Sequence, residues 1–150
     1  MRCLLLRLLG VIVIVLAARL VAAESPVGRW TVDEDQMRES MLALVISQLD
    51  ANSVPEDQRE GVLTAIRADI DRALADMRGT VEFLADGRAT FTDPEGKVDT
   101  AQWTAQEDGI RIVPPAGKGD PMVGRFVDGR LHLTPEGESD APLAIVLKRK

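Results

Sequence analysis

The sequence predicts an α+β domain: a predominantly antiparallel, eight-stranded meander or barrel with a helical pair inserted after its first strand. Three observations carry this reading. Short apolar-alternating runs fill Thr80 to Leu147. Three Asp-Gly pairs, Asp86-Gly87, Asp108-Gly109 and Asp128-Gly129, punctuate them at spacings of 22 and 20 residues. Between Asp33 and Arg78 the apolar period is instead helical. An Asp-Gly pair between two alternating runs suits a two-residue type I′ turn, whose central residues both need positive φ and whose twist matches the strands it joins.

The first 23 residues are set apart from the fold. Arg2 and Arg7 flank an apolar run, Leu8 to Ala18, and Val21-Ala22-Ala23 places small residues before Glu24, which is the layout of a secretory signal cleaved after Ala23. A retained membrane anchor is the alternative reading, but a spanning helix needs about 20 largely apolar residues and Arg19 interrupts this run. The expected location is therefore secreted or periplasmic, with no stable membrane anchor after cleavage. Residues 24–150 form one expected domain of 127 residues, long enough for a real core. Cys3 falls in the signal, so the exported chain has no cysteine and must hold together by packing. Without Arg2, Arg7 and Arg19 it carries 15 basic and 24 acidic side chains, a net charge of −9, which argues against nucleic acid as a partner.

Val27 to Val32 reads as a strand with Gly28, Trp30 and Val32 on one face. Asp33 ends it and can cap a helix while Gln36 reaches back to complete a capping box. Met37, Met41, Leu44, Val45 and Leu49 give that helix one apolar face, to about Leu49. Ser53 and Glu56, beside Pro55, repeat the capping signature. In the longer second helix, Val62, Leu63, Ile66, Ile70, Ala73, Leu74 and Met77 make the stripe. Arg67 with Asp71 and Arg72 with Asp76 stand four apart outside it, and Gly79 offers a left-handed cap. Core packing is the expected use of both stripes; a groove for a partner or lipid is the sharper alternative.

From Thr80 the period becomes two. Val81 and Phe83, Ala89 and Phe91, Ala101 and Trp103, Ile110 and Ile112, Met122 and Phe126, Leu131 and Leu133, then Leu143, Ile145 and Leu147 share the inward parity. Asp93 to Gly96 is a turn, and Pro114 to Pro121, with three prolines and two glycines, is a flexible loop.

Gly28-x-Trp30 on the first strand of an up-and-down antiparallel domain, with a basic residue closing the last strand, resembles the lipocalin and wider calycin pattern. That resemblance implies a cationic side chain lying over the tryptophan where the barrel closes; by strand parity Arg149 is the matching residue, ahead of Lys148. It covers the strands and not the helices, and the chain has no tyrosine and so no Thr-Asp-Tyr turn motif. The two inserted helices resemble in placement those that lid the barrel mouth in fatty-acid-binding proteins, though these are longer.

The inward-parity residues include no ionisable group, so the inner face offers no general acid or base and no deep carboxylate clamp. The expected function is a non-enzymatic binding module for a small uncharged apolar ligand held by Trp30, Phe83, Phe91, Trp103, Ile112, Met122, Phe126 and Leu133, with the helical pair as lid and no cofactor. A small eight-stranded barrel can also be filled by its own side chains. The second reading is a secreted or envelope interaction protein that meets another protein through the helices. His132, the lone histidine, alternates outward and reads as a surface residue, not a catalyst or metal ligand. Gly117-Lys118-Gly119 lacks the spacing of a P-loop, and Asp33-Glu34-Asp35 lacks the glycine and distal glutamate of a calcium loop. The outward arginines Arg88, Arg111, Arg125 and Arg130 could form a basic stripe that steers the helical pair, whose span from Asp33 to Arg78 carries 11 acids and 5 bases.

Overall fold

The computed structural model describes residues 24–138 and 143–150. The expected export signal, residues 1–23, lies outside them. The elements run β1 (Gly28–Val32), α1 (Glu34–Ala51), α2 (Glu56–Asp76), β2 (Thr80–Phe83), β3 (Arg88–Thr92), β4 (Val98–Gln106), β5 (Gly109–Val113), β6 (Met122–Val127), β7 (Arg130–Pro135) and β8 (Ile145–Arg149). The strands form a closed barrel in chain order, every neighbouring pair antiparallel, with β8 returning to β1. Both helices lie between β1 and β2, where the change of period places them.

Parity builds the interior. Trp30, Val81, Phe83, Ala89, Ala101, Ile110, Ile112, Leu131, Leu133 and Leu147 are buried together, and Val32, Phe91, Trp103, Met122, Phe126 and Ile145 pack against them. Gly124 keeps this core tight, because a Cβ there would press on the side chains of Ile110, Leu133 and Leu131 at 3.0 Å or less.

The turns depart from the expected pattern in an informative way. Only Asp128-Gly129 has both residues at positive φ, 50° and 75°, as a type I′ turn requires. At Asp86-Gly87 glycine alone is left-handed, at φ 87°, and Leu84 N–H donates to Arg88 O around a three-residue loop. In the second hairpin Gln106 pairs with Gly109, so Glu107-Asp108 form the loop and Gly109 already belongs to β5. Each Asp-Gly pair marks a hairpin, but in two of them the turn begins a residue earlier, so that the aspartate stays at negative φ.

Only half of the expected capping box forms at α1, and the expected cap at α2 does not form. The Asp33 carboxylate accepts from Gln36 N–H at 3.5 Å, but its own N–H goes to Val146 O at 2.8 Å, so the barrel takes the bond that a capping box would use. Pro55, not Ser53, precedes α2, with no side-chain cap; Ser53 is left-handed at φ 52°. Gly79 is not a left-handed cap either: it is small because a Cβ would sit 2.5 Å from Thr92 O. Ala73 lies exposed beside the stripe formed by Ile70 and Leu74. Arg72 pairs with Asp69 at 3.0 Å, and Asp71 with Arg38 of α1 at 3.0 Å, so the helices are tied to each other where spacing alone suggested pairs within one helix.

The helical pair rests on the outside of the barrel. Met37, Ile70 and Leu74 bury the outward-facing Val146 of β8, with Val32, Met41, Leu42, Ile66, Met77 and Leu143 around them. Asp33 locks this joint. It is 3% exposed, and its carboxylate accepts from Arg130 Nε at 2.7 Å and Lys148 Nζ at 3.5 Å. The expected steering stripe is thereby corrected: among the four outward arginines only Arg130 reaches the helical segment, while Arg88 pairs with Asp86 and Arg111 with Glu136.

Candidate functional site

Alternating strand direction gives the barrel two unlike ends. The three Asp-Gly hairpins, the segment just before β1 and the C-terminal end of β8 lie at one, and the helical insertion, the Asp93 to Gly96 turn, the Pro114 to Pro121 loop, the end of β7 and the start of β8 lie at the other.

The first end is sealed. The Arg149 guanidinium stands 4.5 Å from the Trp30 ring centroid, and its two terminal nitrogens donate to Val27 O at 3.1 Å and Ser25 O at 2.6 Å. Trp30 Nε1 donates to Pro26 O at 2.6 Å. Trp30 and Arg149 are direct cross-strand partners, which is how parity brings a cation onto the indole. Gly28 permits the approach, since a Cβ there would meet the guanidinium at 3.1 Å. The polar tips of both tryptophans are thus spent on the chain itself, because Trp103 Nε1 donates to Leu84 O at 2.9 Å.

All eight residues expected to hold a ligand belong to this interior or pack against it. Trp30 lies 6.2 Å from Phe126, Phe83 meets Trp103 edge-on at 6.1 Å, and Leu133 is buried among them. Three of the eight also border the open end of the barrel. Phe91, Ile112 and Met122 line a half-open depression of about 420 Å³ at the opposite end. Ala101 forms its floor, and Pro114, Pro115, Lys118, Gly119 and Asp120 form its far wall. The loop read as merely flexible is therefore part of the site. Its position just after the inward Ile112 and just before the inward Met122 was the available signal.

The inner face also holds one ionisable group that the parity reading missed. Asp99 is the cross-strand partner of Phe91, so it shares the inward face at the mouth. Lys118 Nζ reaches across to it at 3.2 Å, with Lys97 at 3.8 Å. The hydrogen bond from Lys118, and then the charges of Lys118 and Lys97, hold the Asp99 carboxyl below its ordinary value. It stays a carboxylate with its charge balanced, which suits a latch on the loop more than proton transfer.

The helices do not lid this mouth. α2 contributes only Asp76 and Met77 to a smaller neighbouring depression that shares Phe91 and Asp99 with the first. Their apolar stripe is used against Val146 on the outer wall instead.

His132 is half-buried on the outer wall, directly opposite Arg125. Among the described residues no three His, Cys, Asp or Glu side chains come together as a metal site, and no helix is long and apolar enough to cross a membrane. No family model, curated protein or solved structure matches the chain.

Proposed function

We propose that this protein is an exported, non-enzymatic binding module of lipocalin-like build that takes a small uncharged apolar molecule at the barrel mouth. The depression bounded by Phe91, Ala101, Ile112 and Met122 carries the proposal. Its volume, about 420 Å³, is in the range of small-molecule sites, and its lining is mainly apolar, with Thr100, Asp120 and the paired Asp99 and Lys118 as its polar part. A ligand charged where it meets Asp99 or Lys118 would compete with that pair, whereas a neutral one would not. The lipocalin-like reading is supported by the eight-stranded closure and by Arg149 over Trp30, and the seat differs from a deep calyx because aromatic side chains fill the lower barrel.

The test is native mass spectrometry of the protein from its own compartment, before and after solvent extraction, together with uptake of an apolar fluorescent probe. A mass lost on extraction and saturable probe uptake, weakened at least tenfold by Met122→Asp, support the reading. A single unliganded mass with no probe uptake overturns it.

A second reading, a protein-interaction domain working through the helices, has one observation in its favour. The helical part of the core reaches only Leu42 on α1 and begins again at Ile66 on α2, leaving the distal half of the pair beyond it, with Ile46 at 44% exposure. A photo-crosslinker at Ile46 in intact cells should then trap one defined partner, and absence of any product counts against it.

A further inference from the structure

We propose a second binding site, independent of the mouth, on the outer wall at β6–β7, where Arg125, His132 and Thr134 would hold the carboxylate of a small singly charged acid with a short apolar chain. A concavity of about 310 Å³ lies there, lined by Val123, Arg125, Val127, His132, Thr134 and Gly137. Register makes it one constellation: Arg125 stands opposite His132 and Val123 opposite Thr134. Directly opposed strand residues have Cβ atoms about 5 Å apart, so the three side chains rise from one patch of sheet and line the same concavity.

Arg88, Arg111 and Arg130, the other arginines first read as one stripe, each have a carboxylate partner. Among the described residues Arg125 has none within ion-pair distance, in a domain whose acids outnumber its bases. Two nitrogenous side chains set side by side with no carboxylate paired to either among the described residues favour an anion between them, and guanidinium binds carboxylate through two parallel bonds. One flank of the site is dry: His132 is paired with Val146, which Met37 and α1 bury.

The chemical class follows from the rest of the lining. Val123 and Val127, the latter 45% exposed, present methyl groups beside the guanidinium for a short alkyl chain. Arg125 and Val123 also border an adjoining depression that holds Glu107 and Asp108. Those carboxylates repel a doubly charged anion more than a singly charged one, so a monocarboxylate is favoured over phosphate.

The test is a titration of the isotope-labelled protein, followed by its amide signals and the His132 ring, with butyrate, butyramide and inorganic phosphate at one ionic strength. Butyrate should give saturable shifts confined to Val123–Val127 and Arg130–Thr134. Butyramide should give none, and phosphate should bind several-fold more weakly. Arg125→Gln should weaken butyrate by about tenfold or more while its amide spectrum stays that of the folded protein, as expected for a solvent-facing side chain. His132→Gln should weaken it by a smaller factor. Butyrate shifts that are absent, that survive Arg125→Gln, or that phosphate reproduces with equal affinity overturn the assignment.

Discussion

Replacing Asp33 tests the joint between the helices and the barrel. Three contacts meet on one buried carboxylate: the Arg130 bond at 2.7 Å, Lys148 at 3.5 Å and the α1 cap through Gln36 N–H. The Arg130 hydrogen bond is the largest influence holding this carboxyl below its ordinary value of 3.8; burial opposes it, and Gln36 N–H and Lys148 assist. Asp33→Asn keeps an acceptor for the cap and removes the charge. A hydrogen bond to a charged group is worth about 1.5–3 kcal/mol. Because both cations can be rehydrated when released, the lower end applies, and the asparagine variant should lose about 1.5–2 kcal/mol. Asp33→Ala also loses the cap, about 1 kcal/mol more.

The sign of the pH dependence follows from linkage. A depressed folded-state pKa contributes stability that is complete above 3.8 and disappears as pH falls through the lower folded value. Urea unfolding at pH 7 should therefore separate wild type from Asp33→Asn by the full amount, and the gap should shrink steadily below pH 3.8. The other carboxylates are common to both proteins and cancel. A loss under about 0.5 kcal/mol at pH 7, the level of an ordinary surface change, would refute the joint. So would a gap that does not change with pH.

Five other substitutions probe the barrel and its attachments. Gly109→Ala should cost about 3 kcal/mol or more in urea unfolding, because Gly109 has φ 153° and an added Cβ would run into Gly124 O on β6. Gly129→Ala, at φ 75° with open space around it, should cost only about 1–2 kcal/mol, and equal losses would deny the close approach. Leu74→Ala should destabilise by about 2–4 kcal/mol, whereas Ile46→Ala, on the exposed side, should stay within about 0.5 kcal/mol. Arg149→Gln removes a cation–π contact worth about 1 kcal/mol and releases the carbonyls of Ser25 and Val27. It should therefore speed amide exchange of Val27 and red-shift tryptophan emission; unchanged exchange would mean that the segment before β1 is held by something else.

The architecture was legible because it rests on short-range patterns. Period-two alternation assigned the core residues, Asp-Gly pairs located three hairpins, and the change of period bounded the helical insertion. The candidate site was legible only in part. Parity put Phe91, Ile112 and Met122 on the inner face, but it equally put Trp30, Phe83, Trp103, Phe126 and Leu133 there, and it could not say which of the eight would border the depression at the mouth. That difference depends on depth along the barrel axis, which varies with strand stagger, and stagger is set by pairing across the whole sheet.

The order of apolar and polar residues by itself determined which face of each strand is dry, where the chain turns and where helices replace strands, since each is a property of a few consecutive residues. Only the closed barrel decided that Asp99 lies inside the mouth under Lys118, that Asp33 gathers Arg130 and Lys148 from far along the chain, and that the helices lean on Val146 and leave the mouth open. Those contacts join residues on different elements, and their geometry exists only once β8 has paired with β1.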